Sequence, residues 1–197
     1  MKKILLILVA VIVLPLIFII FTNYNNIPKL DENVKEKWSQ VQNQYKRRAD
    51  LIPNLVETVK AYASHEKSTF VEVTEARSKV SQINVNENML NNPQALQQFA
   101  NAQDGLSSAL SKLMVVVERY PELKANENFK ALQSQLEGTE NRITIARRDF
   151  IEAVKLYNLE LRTMPGKLVA AIAHPEAELK ETFKATEAEQ NAPKVQF

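Results

Sequence analysis

The chain has 197 residues, and 25 Lys+Arg against 23 Asp+Glu leave a formal charge of +2. Three glycines are too few for the turns of a many-stranded sandwich or barrel, or for a Gly-rich phosphate loop. The lack of cysteine excludes disulfides, zinc ribbons, thiol nucleophiles and iron–sulfur ligation, and the near-neutral balance argues against nucleic acid, which needs a concentrated basic face.

Residues 1–3 form a short basic N-terminus. Ile4 to Phe21 is an unbroken apolar run of 18 residues, with Pro15 inside it. As a helix it spans roughly 27 Å at about 1.5 Å per residue, close to the roughly 30 Å of a bilayer's hydrocarbon core. Tyr24 follows at interfacial depth. A cleaved signal peptide would have a shorter apolar stretch and a small-x-small cleavage site, which Thr22-Asn23-Tyr24-Asn25-Asn26 does not offer. The run therefore predicts a transmembrane anchor over residues 4–22, with the lipid bilayer as partner. Lys2 and Lys3 flank it directly, which leans the N-terminus inside and the domain outside the cytoplasm.

Residues 23–189 read as long helices. Pro28, Pro93, Pro121, Pro165, Pro175 and Pro193 fall at breaks in hydrophobic periodicity, and only Pro53 lies inside a periodic stretch. A four-three alternation runs from Val34 through Trp38, Val41, Tyr45, Arg48, Ile52, Leu55, Val59, Tyr62, Glu66, Thr69, Val73, Ala76 and Val80 to Ile83. It predicts one helix over about residues 30–84, kinked at Pro53 and on the order of 80 Å long. The Asn-rich stretch 84–93 is a loop.

A second stripe follows, from Leu96 through Phe99, Gln103, Leu106, Leu110, Leu113 and Val117 to Tyr120. A third runs from Phe129 through Leu136, Thr139, Ile143, Ala146, Phe150, Ala153 and Tyr157 to Met164, with Asn126 as its cap. Lys167 to about Glu189 reads as a shorter fourth helix interrupted near His174-Pro175, and 190–197 as an extended tail. One-sided stripes joined by short loops predict an all-α fold. An N-terminal transmembrane helix is followed by a long antiparallel up-down four-helix bundle.

The informative positions are polar ones in core phase: Arg48 within Lys46-Arg47-Arg48-Ala49-Asp50, Glu66 beside His65, and Thr139 within Gly138-Thr139-Glu140, with Arg147-Arg148 following. Three readings stand open. Helical drift of about 20° per heptad would leave these charges solvated beside the stripe. An inter-helix network, Arg48 with Glu66, Glu140 or Glu137, would set helix register. A ligand or catalytic site is the third.

Metal and nucleophile patterns are missing. Neither His65 nor His174 belongs to a Glu-x-x-His or His-Glu-x-x-His motif, and there is no Gly-x-Ser-x-Gly elbow. No cofactor, metal or catalytic residue is assigned. The shared stripe of Trp38, Tyr45 and Tyr62 reads as core or as an interaction patch.

Several segments resemble the LemA family of bacterial membrane-anchored proteins. They are Trp38-Ser39-Gln40-Val41-Gln42, RRADLIPNLVETVKAYASHE at 47–66, VTEAR at 73–77, LSKLMVVVERYPELKANENF at 110–129, LEGTENRITIARRDF at 136–150, Tyr157-Asn158, and the final PKVQF. Ala61 stands where that family usually has Gly, and Met164-Pro165 replaces Phe-Pro. The resemblance implies a single-pass anchor in the bacterial inner membrane carrying a helical bundle, with no established enzyme activity. It also implies an unknown protein partner, by family association a neighbouring membrane metalloprotease.

Arg47, Arg48, Asp50, Glu66, Glu140 and Arg147 transfer as signature positions, candidates for a structural polar network or interaction. The resulting expectation is a non-enzymatic interaction or scaffold module of the cell envelope. The alternative is an enzyme or small-ligand binder using the Arg/Glu-rich interior.

Overall fold

The structure is a computed structural model that describes residues 2–183. Among the described residues the fold is all-α: α1 (Lys2–Asn23), α2 (Asn26–Lys60), α3 (Lys67–Gln82), α4 (Pro93–Val117), α5 (Pro121–Ala125), α6 (Glu127–Arg162) and α7 (Gly166–Ala173). A 3-10 turn, Glu87–Asn91, precedes α4, and non-helical chain follows α7 as far as residue 183. The expected tail, 190–197, lies outside the described residues. α1 carries the apolar run. Among the described residues no helix is long and apolar enough to cross a membrane, and of the run 4–21 the structure describes the backbone but fewer than half of the side chains.

α2, α3, α4 and α6 form an up-down-up-down bundle. α2 packs against α6 and α3 against α4, each pair antiparallel. Lys112 of α4 meets Glu72 of α3, and Arg48 of α2 meets Glu140 of α6. The four members differ from those the periodicity predicts. The expected single helix over 30–84 is two helices, because the chain reverses at residues 61–66 and α3 returns beside α2. Neither Gly nor Pro makes this turn. The N–H groups of Tyr62 and Ala63 bond back to the Val59 carbonyl at 3.1 and 2.9 Å, Ala63 is buried, and the Glu66 carboxylate takes Arg119 at 2.9 Å.

α2 passes Pro53 without a break. Proline has no N–H to give the carbonyl four residues back. That carbonyl, on Ala49, instead accepts a bond from Arg77 Nε of α3 at 2.9 Å. The proline thus marks where α3 docks, and the carbonyl it leaves free is taken by an inter-helix bond.

The helix starts follow local chemistry. The Asn92 side chain accepts from the N–H groups of Gln94 and Ala95 at 3.1 and 3.0 Å, with Pro93 in the first turn. Asn126 caps α6 through the Phe129 N–H at 3.0 Å, as its position predicts. Of the expected fourth helix, 167–189, the described residues hold the eight-residue α7 and non-helical chain over 174–183, and 184–189 lie outside the described residues. Gly166 opens α7 hard against the Glu160 carbonyl, leaving no space for a Cβ.

Stripe residues fill two apolar clusters. The first holds Val34, Trp38, Val41, Tyr45, Phe99, Ile143, Phe150 and Tyr157, and is joined by Val169 and Phe183. The second holds Ile52, Leu55, Val59, Phe70, Val73, Leu106, Leu113, Phe129 and Leu136. Trp38 and Tyr45 are core residues, whereas Tyr62 and Met164, predicted on stripes, are exposed. At roughly 1.5–3 kcal/mol for each large apolar side chain buried, these clusters outweigh surface ion pairs at about 0–1 kcal/mol each.

The chain after α7 climbs the bundle as a strap. His174 Nε2 lies 2.9 Å from the Tyr24 carbonyl, where α1 meets α2. The backbone of Lys180 exchanges two bonds with the Asn158 side chain, at 2.8 and 2.9 Å, and its ammonium lies 2.9 Å from Asp31. The Glu181 N–H donates to the Leu90 carbonyl, and Phe183 is buried against Trp38 and Phe150.

Candidate functional site

Between the two clusters lies a polar layer. Arg48 is only 1 % exposed, since its stripe phase points it inward from α2. A buried cation must find acceptors or suffer a large desolvation penalty. Arg48 Nη1 donates to Ser107 Oγ at 2.8 Å and to Glu140 Oε1 at 3.0 Å. Nη2 donates to the Gln103 carbonyl at 3.2 Å and also to the Gln103 side-chain oxygen. The guanidinium thereby links α2, α4 and α6, and its carbon sits 5.1 Å from the Tyr45 ring centre.

Arg48 Nε is buried with no partner among the described residues. Thr139, fully buried in the same layer, returns its hydroxyl to the Gln135 carbonyl of its own helix at 2.7 Å. Burial raises the Tyr45 phenol above its ordinary value, and Arg147 and Arg48 oppose that rise.

The other candidate residues take separate places. Arg47 and Asp50 are exposed on α2. Glu66 lies in the α2–α3 turn, where it pairs with Arg119 and lies 3.4 Å from the Tyr120 hydroxyl. Arg48, Glu66 and Glu140 therefore do not converge on one site. Arg147 stacks over Phe183, 4.6 Å from the ring centre. The reading in which all these charges flank the stripe fails at Arg48.

Gln103 and Ser107 complete the layer, and neither is a candidate on sequence grounds. Gln103 was visible as the one polar member of the second stripe. Ser107 lies off that stripe and carried no comparable signal.

Two clefts flank the layer. One, of about 480 Å³, opens between α2 and α3, with Tyr45, Val80 and Phe99 lining it and Lys46, Asp50 and Arg77 around it. The other, of about 410 Å³, opens between α4 and α6 and contains Gln103, Ser107, Glu140, Thr144 and Arg147. Tyr45 and Gln103 line both. Among the described residues no group of three or more His, Asp or Glu side chains is placed to hold a metal ion.

The polar contacts join the sequence segments singled out above. Arg48 in RRADLIP meets Glu140 in GTENRI, and Ala49 beside Pro53 meets Arg77 in VTEAR. Glu66 in ASHE meets Arg119 and Tyr120 in ERYPEL.

Two magnetosome proteins of Paramagnetospirillum magneticum, MamQ 1 and MamQ 2, are each 26 % identical over 166 residues. Those matches cover 76 % of this chain and 61 % of each relative, so the chain spans less than two thirds of their length. The magnetosome protein MamQ of Magnetospirillum gryphiswaldense is 26 % identical over 184 residues, 84 % of this chain and 68 % of the relative. The sequence profile of the LemA family matches residues 37–197, which takes in the polar layer, both clefts and the strap; the chain belongs to the LemA family.

Proposed function

We propose that this chain is a membrane-tethered helical bundle that acts as a non-enzymatic docking or scaffold module of the bacterial cell envelope. The observation that carries the reading is the commitment of the terminal nitrogens of Arg48 to partners within the bundle. Both of its terminal nitrogens are engaged by Gln103, Ser107 and Glu140. The most deeply buried charge among the described residues thus serves as a register device, its Nη donors committed to the bundle.

The tether rests on the run Ile4–Phe21, whose length and composition suit a single span with the bundle outside the cytoplasm. Exposed Ile145, Leu156 and Leu159 on α6 supply apolar contact area for a partner. By family association that partner is a membrane metalloprotease.

In the alternative reading the bundle binds a small ligand. The 410 Å³ cleft beside Glu140 favours it, and the prior commitment of Arg48 counts against it.

Membrane fractionation tests the tether. The full chain is expected to stay in the pellet through an alkaline carbonate wash, and a chain beginning at Asn23 to leave it. A full chain that washes off removes the tether. For the docking role, photo-crosslinkers at Leu156 and Leu159 are expected to capture one reproducible protein that Leu156→Glu loses; capture of lipid alone overturns it.

A further inference from the structure

Arg77 inverts the situation of Arg48. Its Nε is tied to the Ala49 carbonyl at 2.9 Å, the acceptor that Pro53 sets free, and this bond restrains the plane of the guanidinium. Its two terminal nitrogens have no partner among the described residues. An arginine anchored at one nitrogen with its fork open is pre-organised for a carboxylate or a phosphate.

That arginine stands on the wall of the cleft between α2 and α3, whose volume of about 480 Å³ falls within the roughly 300–1,000 Å³ typical of small-molecule sites. Buried Tyr45, Val80 and Phe99 give it an apolar bed. Gln103, 2 % exposed, lines it as well. The Gln103 side-chain oxygen is held by Arg48, but its amide nitrogen has no partner among the described residues, and neither has the Tyr45 hydroxyl. Buried polar groups are normally paired, so two uncommitted ones beside an apolar bed and an open guanidinium mark a place built for a ligand.

The charge around the mouth selects the head group. Two cations, Lys46 and Arg77, and one acid, Asp50, border the cleft, and none of the three has an ion-pair partner among the described residues. The resulting balance of +1 suits a single negative charge, and Asp50 disfavours the second charge of a phosphate monoester. We propose that this cleft binds a small organic monocarboxylate, its apolar body against Tyr45, Val80 and Phe99 and its carboxylate on the Arg77 fork. The site needs neither the tether nor a protein partner, and it is a different cleft from the one beside Glu140.

Dansylglycine, an aromatic monocarboxylate, tests this with the full chain. Trp38, the sole tryptophan, has its ring centre 5.8 Å from that of Phe99, so it sensitises a dansyl group seated in the cleft. Saturable sensitised emission is expected, with dansylamide, which lacks the carboxylate, binding about tenfold more weakly. Benzoate is expected to displace the dye and inorganic phosphate to leave it in place. Arg77→Ala alone would strand the Ala49 carbonyl, so it is made in a Pro53→Ala background, where the helix can rebuild its own bond. There it is expected to weaken dansylglycine about tenfold relative to Pro53→Ala, and Lys46→Gln to weaken it about threefold in the parent. Arg147→Gln, in the other cleft, is expected to change nothing. Equal affinity for dansylamide overturns the proposal, as does displacement by phosphate, the lack of a saturable signal, or a loss caused by Arg147→Gln that the Arg77 variant does not share.

Discussion

Arg48 holds three helices at one level by giving each terminal nitrogen an acceptor that only the native register supplies. Breaking a buried charge pair by deleting one partner costs about 3–5 kcal/mol. Arg48→Ala falls in that range, because it also strands the buried Gln103 side chain. The Glu140 side chain is 42 % exposed, so Glu140→Ala costs less, about 1–2 kcal/mol. Urea titration of the two single variants and the double variant checks this. A coupling energy of at least about 0.5 kcal/mol is expected, and strict additivity would mean the pair does not set register.

Asp31 plays a similar part for the strap. Burial alone would raise its carboxyl, but the ammonium groups of Lys180 and Lys35 outweigh burial and hold it below its ordinary 3.8. Because the folded value is the lower one, the contribution of Asp31 is complete above 3.8. It is lost as pH falls through the folded-state value. Asp31→Asn should therefore be less stable than the parent at neutral pH, with the gap closing as pH falls below 3.8, as read by denaturant midpoints across that range.

At the scale of elements, the hairpin of α2 and α3 depends on a carbonyl that Pro53 leaves free. Arg77→Ala should cost about 1–3 kcal/mol by orphaning the Ala49 oxygen. In a Pro53→Ala background the same change should cost far less, since the substituted residue has an N–H and would restore the bond within the helix. Thermal unfolding of the cycle measures the difference.

The same residues mark what was legible beforehand. The stripe Val34–Val59 is buried as its spacing requires, Arg48 included, because helical phase is a local property. The reversal at 61–66 was hidden, because Tyr62 and Glu66 keep the four-three phase across it. What stops the helix there is tertiary: Ala63 buries itself and Glu66 finds Arg119. Prolines announced the ends of α4 and α6. The strap reads in sequence as part of a fourth helix, since the bonds that extend it run from Lys180 to Asn158 and Asp31, distant in sequence. The arginine of the polar layer was visible, its partners only as alternatives, and Ser107 not at all.

Across the whole molecule, α2, α4 and α6 each run through both apolar clusters, so neither cluster can lose its helices alone. Heat or urea should therefore unfold the bundle in one transition. Trp38 is the sole tryptophan and belongs to the cluster nearer α1, so its fluorescence reports that half, while circular dichroism reports both. The two curves should coincide. Leu113→Ala, in the far cluster, should shift both equally by about 2–5 kcal/mol. A Trp38 signal insensitive to Leu113→Ala would mean that the polar layer insulates one half from the other.

The contact of His174 with the Tyr24 carbonyl joins positions 150 residues apart at the point where α1 gives way to α2. A pull on the N-terminal helix would reach this junction and divide there. One share would travel up the axis of α2, and the other would pass through α7 into the strap, which is fastened crosswise to α6. The bundle is in this sense guyed at its foot, and a load applied there is spread over two lines of force before any core residue must yield.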